Sequence, residues 1–101
     1  MLTATLTRET VIEELKMLKQ ELVLRFGVTR LGLFGSCARG ESRRDSDIDV
    51  VVELTDPDLF ALVHIKEILE EKLNHPVDVI LNNNYTNPFL KKRIQNEAID
   101  V

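Results

Sequence analysis

Three aspartates and one glycine-serine turn are the residues of this sequence whose types and spacing could do chemistry. Asp47 and Asp49 stand one residue apart at the head of the apolar run Ile48 to Leu54, IDVVVEL. On a strand, side chains so spaced leave the same face about 6 to 7 Å apart at the backbone, and their carboxylates can converge on one ion. Asp78 lies on the polar side of another apolar run, Pro76 to Leu81, and adds a third carboxylate if the two strands are neighbours. Two carboxylates ~5 Å apart at an effective dielectric of ~20 repel by about 3 kcal/mol, so the cluster asks for a cation or a proton. All-oxygen ligands select hard ions, Mg²⁺ or Mn²⁺, and Mg²⁺ binds a few carboxylates together with substrate phosphates and water. The phosphates have a counterpart at the end of an earlier run. Gly35 allows the main chain to come close to a phosphate, Ser36 offers a hydroxyl and an N–H, and Arg39 offers a planar cationic fork. A phosphate cradle facing a metal cage is equipment for phosphoryl or nucleotidyl transfer, in which two metal ions activate the attacking oxygen and stabilise the leaving pyrophosphate.

The elements that must position these groups can be read from periodicity. Val11, Leu15, Leu18, Leu22 and Phe26 recur at helical spacing, with Thr10 or Thr7 as the start and Gly27 as the stop. Val28 to Phe34 reads as a buried strand that runs straight into the turn at Gly35-Ser36. In the next strand Ile48, Val50, Val52 and Leu54 share one face, while Asp49, Val51 and Glu53 share the other. Asp56-Pro57 signals an N-cap and a first helical position, and Leu62, Ile65, Leu69 and Leu73 carry that helix to a stop near Asn74. The run Pro76 to Leu81 is a third strand with Val77, Val79 and Leu81 on one side. Asn87-Pro88 repeats the cap signal, and Leu90, Ile94 and Ala98 mark a short final helix with or without a tail. Two strands precede the middle helix with no crossover helix between them, which predicts a mixed sheet in an α+β domain rather than a doubly wound parallel sheet.

Bulk properties narrow the function classes. The chain has 101 residues, 44% hydrophobic and 30% charged, the balance of one globular domain spanning residues 1–101. Seventeen acidic residues against thirteen basic ones give a net charge of -4, which opposes direct binding of nucleic acid or an anionic membrane. The single Cys37 has no partner for an internal disulfide or a zinc site, and the start MLTATLTRET has no apolar core of a signal peptide, which together point to the cytoplasm. At this length little chain remains for a second substrate lobe, so an enzyme of this size must borrow part of its site.

Gly35-Ser36, ten intervening residues and Asp47-Ile48-Asp49, with Arg39-Gly40 and Ser46 between, resemble the signature of the DNA polymerase β-type nucleotidyltransferase superfamily in the form carried by its smallest members, the minimal nucleotidyltransferase (MNT) proteins. Val77-Asp78-Val79 matches the family's third carboxylate on a later strand, and the tail LKKRIQNEAIDV is similar to the ending of many MNT chains, so the resemblance covers nearly the whole sequence. It implies a polymerase β-like fold, a small mixed sheet flanked by helices. It also implies that Asp47, Asp49 and Asp78 are the catalytic, metal-binding acids, that Asp78 helps to activate the acceptor, and that Gly35, Ser36 and Arg39 bind the triphosphate. The implied cofactor is Mg²⁺, as two ions, with ATP as the substrate that gives up AMP. The implied partner is a HEPN-domain ribonuclease toxin, which an MNT antitoxin adenylylates on a tyrosine.

Two alternatives stay open on the sequence: an antitoxin that neutralises its partner by occlusion, and a transferase whose acceptor is a small molecule. Cys37 reads as a small residue filling the turn, His64 as a helix-surface or packing residue and His75 as a loop residue. Arg43 and Arg44 read as solvated loop cations. Leu59, Phe60, Val63, Phe89 and Leu90 are expected to cover the core, with a partner contact as the other reading.

Overall fold

The computed structural model describes residues 7–40 and 47–101. Arg43, Arg44 and Ser46 lie outside the described residues. Helix α1 (Arg8–Phe26) leads into strand β1 (Val28–Phe34), a four-residue helix α2 (Gly35–Ala38), strand β2 (Ile48–Leu54), helix α3 (Leu59–Leu73), strand β3 (Val77–Leu81), helix α4 (Pro88–Glu97) and a two-residue strand β4 (Ile99–Asp100). The sheet has the order β3-β2-β1-β4. β1 is antiparallel to β2 and β4, and β2 is parallel to β3, so the sheet is mixed, as expected.

Alternation along the strands divides the sheet into two unlike faces. Leu31 and Leu33 of β1, Ile48, Val50 and Val52 of β2 and Val77 of β3 join Val11, Leu15, Leu18 and Leu22 of α1 and Ile65, Leu69 and Leu73 of α3 in one core. The other face carries a smaller cluster, Phe34, Val51 and Ile94, where α4 covers the sheet. Beyond that cluster the same face turns polar. Arg30 donates from Nε to Asp100 Oδ1 (2.8 Å) and from Nη1 to Glu53 Oε2 (3.1 Å), and Asn82 Nδ2 donates to the same Glu53 oxygen (2.8 Å). This row ties β4, β1, β2 and the end of β3 together. The Arg30 guanidinium is held above its usual pKa, first by its hydrogen bond to Asp100, against the opposing cost of burial, with the hydrogen bond to Glu53 adding to the rise.

Of the two starts offered for α1, Thr7 is the cap, its hydroxyl accepting from Thr10 N at 3.1 Å. Several other local expectations need correction. The cap of α3 is Asp58, with Oδ1 accepting from Phe60 N at 3.0 Å; Asp56 and Pro57 precede the helix because the extended residue from which the first turn departs is Asp58. The turn at Gly35-Ser36 is one turn of helix, entered through Gly35 at φ 75°. The tail after Ala98 becomes β4, pairing Ile99 with Leu33 and Asp100 with Gly32. Leu59 and Phe60, expected in the core, are 76% and 75% exposed, and Val63 and Phe89 are exposed too. They fall on the outward arcs of α3 and α4, whose inward arcs are already filled by Ile65, Leu69 and Leu73 and by Ile94. Cys37 is buried in the core, as its size suggested, and His64 stacks on Phe26 with ring centres 6.3 Å apart. No helix among the described residues is long and apolar enough to cross a membrane.

Gly32 is the residue on which β4 depends. A Cβ there would stand 3.0 Å from Asp100 Oδ1 and 3.1 Å from the Ile99 carbonyl oxygen, and the second is backbone that cannot swing aside. We expect Gly32→Val to push β4 off the sheet and to cost about 1–3 kcal/mol in urea denaturation, by the usual penalty of overpacking. Hydrogen exchange checks the location: the Val101 N–H, bonded to Leu31 O at 3.0 Å, should lose protection while the amides of β2 keep theirs.

Candidate active site

The acids singled out by the sequence are placed by the pairing of β2 with β3. In parallel register Asp49 lies opposite Asp78, and Ile48 N donates to Pro76 O at 3.0 Å where the two strands begin. Asp47, Asp49 and Asp78 all come to the same end of the sheet, on the face away from α1 and α3. Asp49 is half-buried, while Asp47 and Asp78 are exposed. The Asp49 carboxyl is held above the usual aspartate range, first by burial, then by the charge of Asp78 and then of Asp47, with Arg39 pulling the other way. Asp78 and Asp47 thus both act on Asp49 electrostatically. Among the described residues they are not drawn together into a ready-made cage of three ligands, so a cation that used all three would have to gather them. As a donor set, three carboxylates suit a hard divalent ion.

On the other side of Asp49, β1 pairs Phe34 with Asp49 and then turns into α2. Gly35 is in the left-handed region, where a side chain is strained, and it is also directly against the acid: an added Cβ would overlap Asp49 Oδ2 and lie 3.2 Å from Cγ. The absent side chain is therefore the seat of the Asp49 carboxylate. Ser36, half-buried, opens the first turn of α2, whose leading N–H groups have no partner within so short a helix. Arg39 ends that turn, its N–H donating to Ser36 O (3.1 Å) and Gly35 O (3.2 Å), and Arg8 Nη1 holds the Ala38 carbonyl from α1 at 3.3 Å. Of the residues singled out by the sequence, Gly35 abuts Asp49, Asp47, Asp78 and Arg39 act on it electrostatically, and Ser36 follows Gly35 in the turn.

Two further residues reach the site from α4. Glu97 Oε1 lies 3.6 Å from Arg39 Nη1, and its Oε2 lies 3.3 Å from Arg93 Nε. The Arg93 guanidinium sits over the Phe34 ring, 5.5 Å from its centre. Nothing in the sequence marks these two, because only the packing of α4 across the sheet brings them near residues far away in the chain.

We expect Gly35→Ala to displace the Asp49 carboxylate and to impose a left-handed alanine, a combined cost of about 1–3 kcal/mol in stability. Nucleotidyl transfer should fall by roughly two orders of magnitude or more, since a shift of about 1 Å at a positioned group can cost that much. A variant with wild-type turnover would show that Asp49 can be seated without this glycine.

The geometry has counterparts among known proteins. Residues 15–101 match the family profile described as Nucleotidyltransferase domain. A Methanocaldococcus jannaschii protein provisionally named a protein adenylyltransferase is 45% identical over 91 residues, covering 89% of this chain and 97% of that one. The protein adenylyltransferase MntA of Thermococcus cleftensis is 37% identical over 89 residues, covering 87% and 90%. A solved structure provisionally named a minimal nucleotidyltransferase superposes with a TM-score of 0.82 at 31% identity, covering 98% of this chain and 100% of that one. The fold is shared also with a chain from a complex of tri-AMPylated Shewanella oneidensis HEPN toxin with MNT antitoxin, at a TM-score of 0.67, 18% identity and coverage of 93% and 71%. With a family profile matched over residues 15–101 and relatives of this identity and coverage, the chain belongs to the nucleotidyltransferase domain family, in its minimal form.

Proposed function

We propose that this nucleotidyltransferase, with residues 1–101 acting as one domain in the cytoplasm, transfers AMP from ATP to a tyrosine of a HEPN-domain ribonuclease and so acts as its antitoxin. The observation that carries the reading is the register of Asp49 against Asp78, with Asp47 at the mouth of the strand, beside a turn that supplies Ser36 and Arg39. The names of the relatives support adenylyl transfer to protein, and the HEPN–MNT complex that shares the fold supports the partner class.

Asp47, Asp49 and Asp78 would hold Mg²⁺, with Mn²⁺ as a substitute, and two such ions supply Lewis acidity toward the phosphates and the acceptor oxygen. The remaining work belongs to the chain. Gly35 seats Asp49, Ser36 binds triphosphate oxygens through its hydroxyl and N–H, and Arg39 neutralises charge along the triphosphate. Asp78, exposed beside Asp49, takes up the phenolic proton as the tyrosine oxygen bonds to the α-phosphorus and the bond to the bridging oxygen breaks, releasing pyrophosphate. Asp47 and Asp78 are both exposed, which suits an acceptor that arrives on another molecule. A net charge of -4 suits a partner with a basic RNA-binding face.

Asp47→Asn and Asp49→Asn should each abolish transfer, read as loss of the one-nucleotide mass increment on the co-purified ribonuclease. The fold should not suffer. A carboxyl raised in the folded state makes its ionised form a burden above that raised pKa, and the burden lifts as pH falls through it toward the unfolded value. Asp49→Asn should accordingly leave the Tm at pH 7 level or higher, with the advantage over wild type shrinking in acid. Co-expression separates the mechanisms: growth rescue by wild type and not by the Asp47→Asn, Asp49→Asn double variant supports catalysis, whereas full rescue by the double variant without added mass supports occlusion. Asp78→Asn should lower kcat by about 10²-fold or more with triphosphate binding kept within a few-fold, the pattern of a group engaged in the chemical step. Equal loss of kcat and of calorimetric affinity for a non-hydrolysable ATP analogue would move Asp78 to the nucleotide site.

A further inference from the structure

Glu97 is the last residue of α4, where the partial negative charge of the helix end disfavours a carboxylate. It is held there between two arginines from different elements, Arg39 after α2 and Arg93 one turn back on α4. Arg93 in turn lies over Phe34, the residue from which α2 departs. An exposed ion pair of this kind contributes little to stability, so the placement calls for another account. Arg39 supplies one. Its guanidinium is near enough to the acids to act on Asp49, and carboxylates that close compete with a triphosphate for a long cationic side chain. An arginine paired with the catalytic acids would occupy the charge that an incoming cation needs and would be withdrawn from the triphosphate.

We infer that Glu97 is a positioning residue, which anchors the Arg39 guanidinium on the α4 side of the site and keeps it available to triphosphate oxygens. This rests on the reading of Arg39 as a triphosphate ligand. Glu97 needs no contact with the nucleotide. When the triphosphate arrives Arg39 faces it from a fixed position, and the Glu97–Arg93 pair over Phe34 keeps the anchor itself in place. The reacting groups are untouched, so the effect falls on nucleotide binding rather than on the chemical step.

The test is a double-mutant cycle on the intact protein with its acceptor. Glu97→Gln should raise the KM for ATP by about 3- to 10-fold with kcat at saturation within about twofold, the scale of a coupling between neighbouring groups and the signature of lost binding. Calorimetric titration with a non-hydrolysable ATP analogue and Mg²⁺ should show the same loss of affinity without any turnover. In an Arg39→Ala background, Glu97→Gln should change neither KM nor analogue affinity further. If Arg39→Ala weakens binding and Glu97→Gln does not, the positioning role is overturned and the Arg39 reading stands. If Glu97→Gln is as damaging with Arg39 removed as with it present, Glu97 acts on the fold by another route and the inference fails. If Arg39→Ala leaves KM and analogue affinity unchanged, the triphosphate reading of Arg39 fails and takes the inference with it.

Discussion

The structure depends on the parallel pairing of β2 with β3, which sets Asp49 against Asp78. Strand spacing of about 4.8 Å puts two carboxylates side by side, and at that separation their mutual repulsion is on the order of 3 kcal/mol. The opposite face of the same strands overrides it. Val50, Val52 and Val77 are essentially fully buried against α1 and α3, and burying each contributes about 1.5–3 kcal/mol. The sheet therefore holds its acids together by what lies behind them. The Asp49 carboxyl is raised first by its own burial and then by the charges of Asp78 and Asp47, which the packing holds near it.

β1 supplies the second constraint through the turn that follows it. Phe34 pairs with Asp49, and the next residue must leave the strand without a side chain, because the Asp49 carboxylate occupies the place of a Cβ. The left-handed φ of Gly35 then starts α2, so one glycine both seats the acid and aims Ser36 and Arg39 at the same region. The α2 turn and the Asp49 carboxylate are in this way built on a shared boundary. Their relative position is rigid because it is set by the β1–β2 register and not by the conformation of a long loop.

The face that bears the acids is organised in three rows across the sheet. The acidic row, Asp78, Asp49 and Phe34, lies at one end; Ile80, Val51 and Gly32 follow beneath α4; Asn82, Glu53 and Arg30 close the other end. α4 spans these rows, with Lys91 Nζ donating to Asn83 O at 3.3 Å near the polar end and Glu97 beside Arg39 near the acidic one. Arg30, by gripping Asp100, fastens the strand that follows α4 and so fixes where that helix ends. A polar cluster far from the chemistry thereby helps to set the position of a residue at its edge.

Local pattern was enough for α1, α3, α4 and the strands β1 to β3, and for naming the candidate acids. Alternation in IDVVVEL and VDVIL already put Asp49 and Asp78 on the faces opposite the buried valines, and helical spacing picked out the inward residues of α1 and α3, because these periods are imposed by backbone geometry whatever the surroundings. Motif spacing likewise brought Gly35, Ser36, Arg39, Asp47, Asp49 and Asp78 onto one list of site residues. What local pattern could not supply was pairing. The strand order β3-β2-β1-β4, the strand made from the last residues, the exposure of Leu59 and Phe60 and the approach of Glu97 to Arg39 all follow from which surfaces were already occupied when the elements packed. Asp56 shows the same limit on a small scale, since Asp56-Pro57 and Asp58 offer equally good local starts for α3 and the helix begins after the second. The sequence by itself determined which residues could do the chemistry and on which side of their strands they stand. The tertiary structure decided which of them meet, because register and packing are settled between segments that carry no information about one another.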